Sequence, residues 1–218
     1  MSTTLRARGF TAIEMTVALA IIGLLTGVTI LAFRGMKNRA SFAAATGDLI
    51  VQIRATRAES FSRGGTTVFV VDTVGGRWWG LEDVGGDFDL AAFDPANPTA
   101  AGDRLLVSGS LPAGVSFGPA TGYGAALPAP FQLVPSFPGA SPAPAFPYCS
   151  FCVTSGAKTG FGYIRFTPGS QVTWSGGPVA SGQQLTLTAK VAGTNLQPVL
   201  TLAVLARTGA SATFETKQ

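Results

Sequence analysis

Histidine is absent from the 218 residues, and with it go Ser-His-Asp and Cys-His catalysis and the commonest zinc and iron ligand sets. No recognisable nucleophile motif stands in its place, so the chain is expected to be no enzyme and to need no cofactor. Charge is scarce too: 12% of the residues are charged against 46% hydrophobic, too few charges for a typical cytosolic protein. The net charge is +4, with no cluster of Lys and Arg beyond the flanks of one apolar run. That leaves no footprint for nucleic acid. Cysteine occurs only as Cys149 and Cys152, half of a four-thiolate zinc site without its other half, so no structural metal is expected.

What is present points partly to lipid. The mean hydropathy is +0.36, and the 28 Gly and 14 Pro go with short strands and long turns. The length fits one domain with a substantial core. Residues 10–33, FTAIEMTVALAIIGLLTGVTILAF, carry one charge, Glu14. As a helix they reach roughly 36 Å, enough to cross a hydrocarbon core of about 30 Å. A secretory signal has a shorter apolar core followed by a small-x-small cleavage site. Here the run ends in Phe33-Arg34, which disfavours removal after it. An acid inside such a segment costs a few kcal/mol and normally marks function; the bland alternative is a near-interface residue that snorkels.

Glu14 follows closely on Arg6, Ala7, Arg8, Gly9 and Phe10, and RGFTAIEMTVALAIIGLL resembles the class III leader of type IV prepilins. The resemblance implies that a prepilin peptidase cuts between Gly9 and Phe10 and N-methylates Phe10. Residues 1–9 are then a cytoplasmic leader, and the chain is a single-pass protein of the bacterial inner membrane with its head in the periplasm. Removing Arg6 and Arg8 leaves 13 basic against 11 acidic residues. Two basic residues precede the span and three, Arg34, Lys37 and Arg39, follow it. That opposes a simple positive-inside count, so leader recognition must set the orientation. Cleavage creates an amine, with pKa normally near 8, at the head of a lipid-embedded helix. Glu14 is expected to pair with that amine on a neighbouring subunit, so that its burial is tolerated only when subunits stack in register.

Residues 34–64 are expected to form the amphipathic half of the same helix. Phe42, Ala45, Leu49, Ile53, Thr56 and Ser60 share one face. Glu59 and Arg63 sit at i and i+4, and Gly64-Gly65 supplies a left-handed stop. The helix from 10 to 63 would be a rod of roughly 80 Å, weakened at Gly23, Gly27, Gly35 and Gly47. Pilins and pseudopilins are similar long-helix lollipops; the mid-span proline they often carry does not occur here.

Residues 65–218 read as a β-rich head. Residues 66–72, Gly75-Gly76 and 77–81 suggest a hairpin, with at least one of Trp78 and Trp79 in the core. Residues 82–147 hold 11 of the 14 prolines and read as a Pro/Gly-rich insertion, with strands only at 104–107 and 115–117 and a polyproline-like excursion over 128–147. Strands resume at Ile164 and Phe166, turn at Pro168-Gly169, return through Val172 and Trp174, and turn again at Gly176-Gly177. Leu185, Leu187, Ala189 and Val191 alternate with Thr186, Thr188 and Lys190, a strand with one wet face, while 199–205 looks buried on both. The fold class is therefore α+β, a long helix packed on an antiparallel β-sandwich. IRFTPGSQVTWSGG and LAVLARTGASATFE resemble the C-terminal hairpins of the GspH/FimT family, the H-type pseudopilins and FimU-like minor pilins.

The segment EDVGGDFDLAAFD brings Glu82, Asp83, Asp87, Asp89 and Asp94 close in sequence with no basic residue until Arg104. Asp83, Asp87, Asp89 and Asp94 are candidates for a calcium ion, though the spacing fits no EF-hand; a solvated loop and a docking patch for a basic partner are the alternatives. Cys149 and Cys152 lack the strand-to-helix context that lowers a thiol pKa, and outside the cytoplasm they are expected to form a small-loop disulfide contributing roughly 2 kcal/mol.

The family resemblance implies a structural role in a type IV pilus or type II secretion pseudopilus, serving twitching motility or protein secretion. The bulky insertion argues for a place in the tip or priming complex. The implied partners are the prepilin peptidase, other minor and major pilins or pseudopilins, and the inner-membrane assembly platform. The competing reading is a filament-displayed adhesin or ligand-binding module.

Overall fold

The computed structural model describes residues 11–118, 149–169, 172–175, 182–189, 198–205 and 208–217. The expected leader, residues 1–9, the Gly9-Phe10 bond, the prolines of 128–147, Gly176-Gly177, Lys190 and Val191 lie outside the described residues. The first element, α1 (Ala12–Arg63), has 52 residues, about 78 Å at 1.5 Å per residue. Thr11 caps its start in an extended conformation, and Gly64 ends it at φ 67, where a Cβ would be strained. Arg63 and Glu59 pair in the last turn. Gly23, Gly27, Gly35 and Gly47 all lie within the continuous helix.

Among the described residues nine strands come after it: β1 (Thr66–Asp72), β2 (Arg77–Asp83), β3 (Arg104–Ser110), β4 (Val115–Phe117), β5 (Phe161–Phe166), β6 (Thr173–Trp174), β7 (Gly182–Ala189), β8 (Pro198–Leu205) and β9 (Ser211–Lys217). They make two antiparallel sheets, one ordered β3-β2-β1-β5-β6 and the other β4-β7-β8-β9. The chain is thus α+β. One apolar cluster joins Phe42, Leu49 and Ile53 of α1 to Phe69, Val71 and Trp78 of the first sheet and Leu185, Leu187 and Leu202 of the second. Burying each such side chain contributes about 1.5–3 kcal/mol, so the helix is held by a core that both sheets share.

Trp78 and Trp79 point to opposite faces of β2, and both are buried. Trp78 belongs to the shared core. Trp79 packs with Val68, Val70 and Leu81 under Phe88, Leu90 and Phe93, its ring 5.3 Å from that of Phe93 and edge-on. Within the stretch 82–147, the described residues 82–118 are therefore built into both sheets. Glu82 and Asp83 finish β2, residues 88–93 roof the far face of the first sheet, and β3 and β4 join different sheets.

The wet face expected on β7 is also corrected. Gln184, Thr186 and Thr188 are buried, and Thr186 lies opposite Thr201 with their hydroxyls 3.4 Å apart. On that face β8 and β9 bring Ala203, Leu205, Ala212 and Phe214 together. Thr186 suits such a position because its hydroxyl finds that of Thr201 beside it, whereas the buried Thr188 hydroxyl has no partner among the described residues.

Candidate functional site

The part of the molecule without a partner of its own is the first half of α1. From Ala12 to Ile30 it has a hydropathy of 2.0, none of it is buried, and it is long and apolar enough to cross a membrane. The hydroxyls of Thr16, Thr26 and Thr29 donate to the carbonyls of Ile13, Ile22 and Leu25, so its polar side chains are satisfied without water. A Cβ built at Gly23 or Gly27 would meet nothing within 4 Å.

Glu14 closes a capping box. The Thr11 N–H and hydroxyl both donate to Glu14 Oε2 at 2.9 Å, and the Glu14 N–H donates to Thr11 Oγ1 at 3.3 Å. The carboxylate thus takes the amide hydrogen of the N-cap residue at the positive end of the helix, a stabilising place for an anion. It is held at the start of the apolar rod and still exposed. Thr11 is a partner the sequence expectations omit, although T-x-x-E ahead of an apolar run is the capping-box spacing.

Past the apolar run, α1 turns Phe42, Ala45, Leu49, Ile53, Thr56 and Ser60 onto the head, all buried. The Ser60 hydroxyl donates to the carbonyls of Gly65 and Phe166, tying the helix end to β1 and β5. The opposite side stays open: Ala40, Ala44, Gly47, Val51, Arg54, Ala58, Phe61 and Ser62 are exposed. A soluble helix normally carries polar residues there. This one presents mostly small and apolar residues, with Arg54 and Ser62 among them, in line with the membrane-length run.

The carboxylates of the acidic segment are held by several separate partners. Among the described residues no three acidic or thiol groups converge as a metal ion would require, and most of the carboxylates are engaged elsewhere. Asp83 is buried; it accepts the Phe88 N–H at 3.3 Å and faces the Arg165 guanidinium at 3.3 Å. Arg165 also donates to the Phe88 carbonyl at 2.7 Å. Asp89 and Asp94 accept the N–H groups of Ala91 and Ala96 as turn residues do. Asp87 folds back on Gly85, and Glu82 pairs with Arg104. Besides Arg104, the cation that serves this stretch is Arg165, which comes from β5, more than 70 residues further along the chain.

Asp103 joins the same neighbourhood. Burial first, then the negative charges of Asp83 and Asp87, push its carboxyl above the ordinary value of 3.8, against a hydrogen bond from Val84. The folded state therefore holds this proton more tightly than the unfolded one. Asp103 costs stability at neutral pH, and the cost disappears as pH falls to the ordinary value. Asp103→Asn is expected to raise the melting temperature at pH 7, with the gain over wild type shrinking to nothing near pH 3.8. Thermal scans across that range check it.

Cys149 and Cys152 are bonded to each other. Their short loop sits at the junction of the two sheets. Cys149 bridges to Leu185 of β7, the Ser150 N–H donates to the Gln184 carbonyl, and Val153 exchanges hydrogen bonds with Gly160 and Phe161. A Cβ at Gly162 would lie 2.8 Å from the Phe151 ring and 2.9 Å from Cys152 Sγ, so only glycine lets β5 pass this close. Replacing both cysteines with serine is expected to lower stability by about 2 kcal/mol and the melting temperature by about 6 °C for a chain of this size. Reducing the wild type should give the same shift in a thermal scan.

The features that sequence reasoning missed are the aromatic roof of Phe88 and Phe93 and the Arg165 link. The only signal for the roof was three apolar residues, 88, 90 and 93, inside an acidic stretch. Compared with family models, curated proteins and solved structures, this chain finds no match in any of the three.

Proposed function

We propose that this chain is a prepilin-type filament subunit, a minor pilin or pseudopilin of a type IV pilus or type II secretion pseudopilus, acting in the tip or priming complex and doing no catalysis. The observation that carries the reading is α1. It is apolar and unburied from Ala12 to Ile30 and continues along the head with a second apolar side still open. A helix that faces lipid at one end and offers alanine and glycine along its free side is built to lie against other helices.

In this reading the first half of α1 anchors the chain in the bacterial inner membrane, residues 34–64 are the amphipathic half, and the two sheets form a periplasmic sandwich. Cleavage after Gly9 frees the Phe10 amine one residue before Thr11, and Glu14 offers it a carboxylate on the adjacent subunit. The prepilin peptidase, the neighbouring pilins and the assembly platform are the partners.

Mass analysis of the native polypeptide tests the proposal. The expected mature chain begins at an N-methylated Phe10 and sediments with sheared filaments or with other minor subunits. An N-terminus with the first nine residues intact, or trimmed at another bond, overturns it.

A further inference from the structure

The second sheet ends on β9, and hydrogen bonds at its start fix which way its backbone groups face. At the β8–β9 turn the Leu205 N–H donates to the Ala210 carbonyl and the Gly209 N–H donates to the Leu205 carbonyl, so Leu205 turns both groups toward β9. That direction alternates along a strand. Ala203, Thr201 and Val199 therefore bond to their partners Ala212, Phe214 and Thr216, while Ser211, Thr213 and Glu215 turn their N–H and C=O groups to the outer edge. Arg54 agrees with this direction, donating to the Ser211 hydroxyl and carbonyl at 3.2 and 3.3 Å. No strand among the described residues pairs with that edge, and Thr213 is exposed.

Beside the start of β9 lies an open groove of about 530 Å³, lined by Arg54, Arg57, Ala58, Phe61 and Ser62. Neither arginine pairs with a carboxylate among the described residues. The Arg57 guanidinium sits 5.5 Å from the centre of the Phe61 ring, which is itself 57% exposed. Gly209, at φ 63, brings the β8–β9 turn against the same arginine: a Cβ there would lie 2.9 Å from Arg57 Nε. Edge and groove are thus one continuous surface.

We infer that the outer edge of β9 and this groove together receive an extended acidic segment of a different protein, added as one more strand of the second sheet. The backbone groups of Thr213 and Glu215 give such a segment its ladder, and the arginines select its side chains. Arg54 and Arg57 are a helical turn apart, about 5–6 Å, which matches side chains at alternate positions of a strand, about 7 Å apart. The segment therefore carries acids at alternate positions. A nucleic acid would neutralise the arginines but leave the strand edge unpaired. Lipid around the apolar run is out of reach, because Arg54 lies about 36 Å past its end at Ile30. A second copy does not supply the segment either. Its own alternate acids, Asp87 and Asp89, flank Phe88, whose N–H and carbonyl are already taken by Asp83 and Arg165. This contact stands whether or not copies of the chain assemble into filaments.

Fluorescence anisotropy of a labelled peptide of about ten residues, alternating Asp and Val, titrated with the full-length chain in detergent, tests the contact. It is expected to bind about ten-fold tighter than a peptide alternating Lys and Val, and Arg57→Glu should weaken it about five-fold or more. Thr213→Pro removes an outward N–H that β8 does not use. It should weaken binding about five-fold or more while leaving the melting temperature in place, whereas Phe214→Pro removes a ladder bond and should lower that temperature. Equal binding of the two peptides, no binding of the acidic one, or undiminished binding by Thr213→Pro overturns the inference. A larger loss of stability in Thr213→Pro than in Phe214→Pro would reverse the assigned edge and overturn it as well. So would tighter binding of a labelled single-stranded oligonucleotide than of the acidic peptide, which would make the groove a phosphate site.

Discussion

Glu14→Ala is expected to leave the chain in the membrane fraction and to lower its recovery in filament or priming-complex fractions about ten-fold or more, if the proposed subunit role holds. The magnitude comes from the partner left behind. A terminal amine buried beside lipid without its carboxylate costs about 3–5 kcal/mol, and every 1.4 kcal/mol is a factor of ten. The capping box sharpens the test. Glutamine can take the same bonds from Thr11 that Glu14 accepts at 2.9 Å, but it carries no charge. If Glu14 acts through the neighbour's amine, Glu14→Gln fails as alanine does. Wild-type assembly of Glu14→Gln, read by immunoblot of sheared and membrane fractions, would reduce Glu14 to a helix cap.

The second large effect is on the head. Leu49 is fully buried between α1 and the two sheets, and Val51, two residues on, is 59% exposed. Leu49→Ala is expected to cost about 3 kcal/mol, the transfer term plus the cavity it leaves, and to lower the melting temperature of the full chain in detergent by about 9 °C. Val51→Ala should change it by less than about 1 °C, because that side chain is largely uncovered by its own chain. A loss of assembly in Val51→Ala without loss of stability would mark the open side of α1 as an interface. Circular dichroism and the filament fraction together give both readouts.

Local rules account for most of what could be read early. The helix end at Gly64, the Glu59–Arg63 pair, the β1–β2 hairpin and the buried side of α1 each depend on residues within a few positions of one another, where periodicity and turn chemistry act directly. The same rules failed for β7. Alternating Leu and Thr describes which side chains share a face but does not say whether that face meets water, and here Thr186 and Thr201 cover each other.

The acidic segment failed for the converse reason. Its carboxylates are close in sequence, yet the fold assigns them to Arg165, Arg104 and their own turns rather than to a common centre. Phe88 and Phe93 look like surplus apolar residues in a loop until β1, β2 and β5 present a sheet face for them to cover.

The amino-acid sequence alone determined the long apolar helix, its stop and the β character of the head, because those are set by neighbours a few residues away. Only the tertiary structure decided that one sheet is roofed by 88–93, that Asp83 answers to Arg165, and that the Cys149–Cys152 loop sits where the two sheets meet. Those contacts join residues tens of positions apart, and no local pattern carries the cost or the reward of bringing them together.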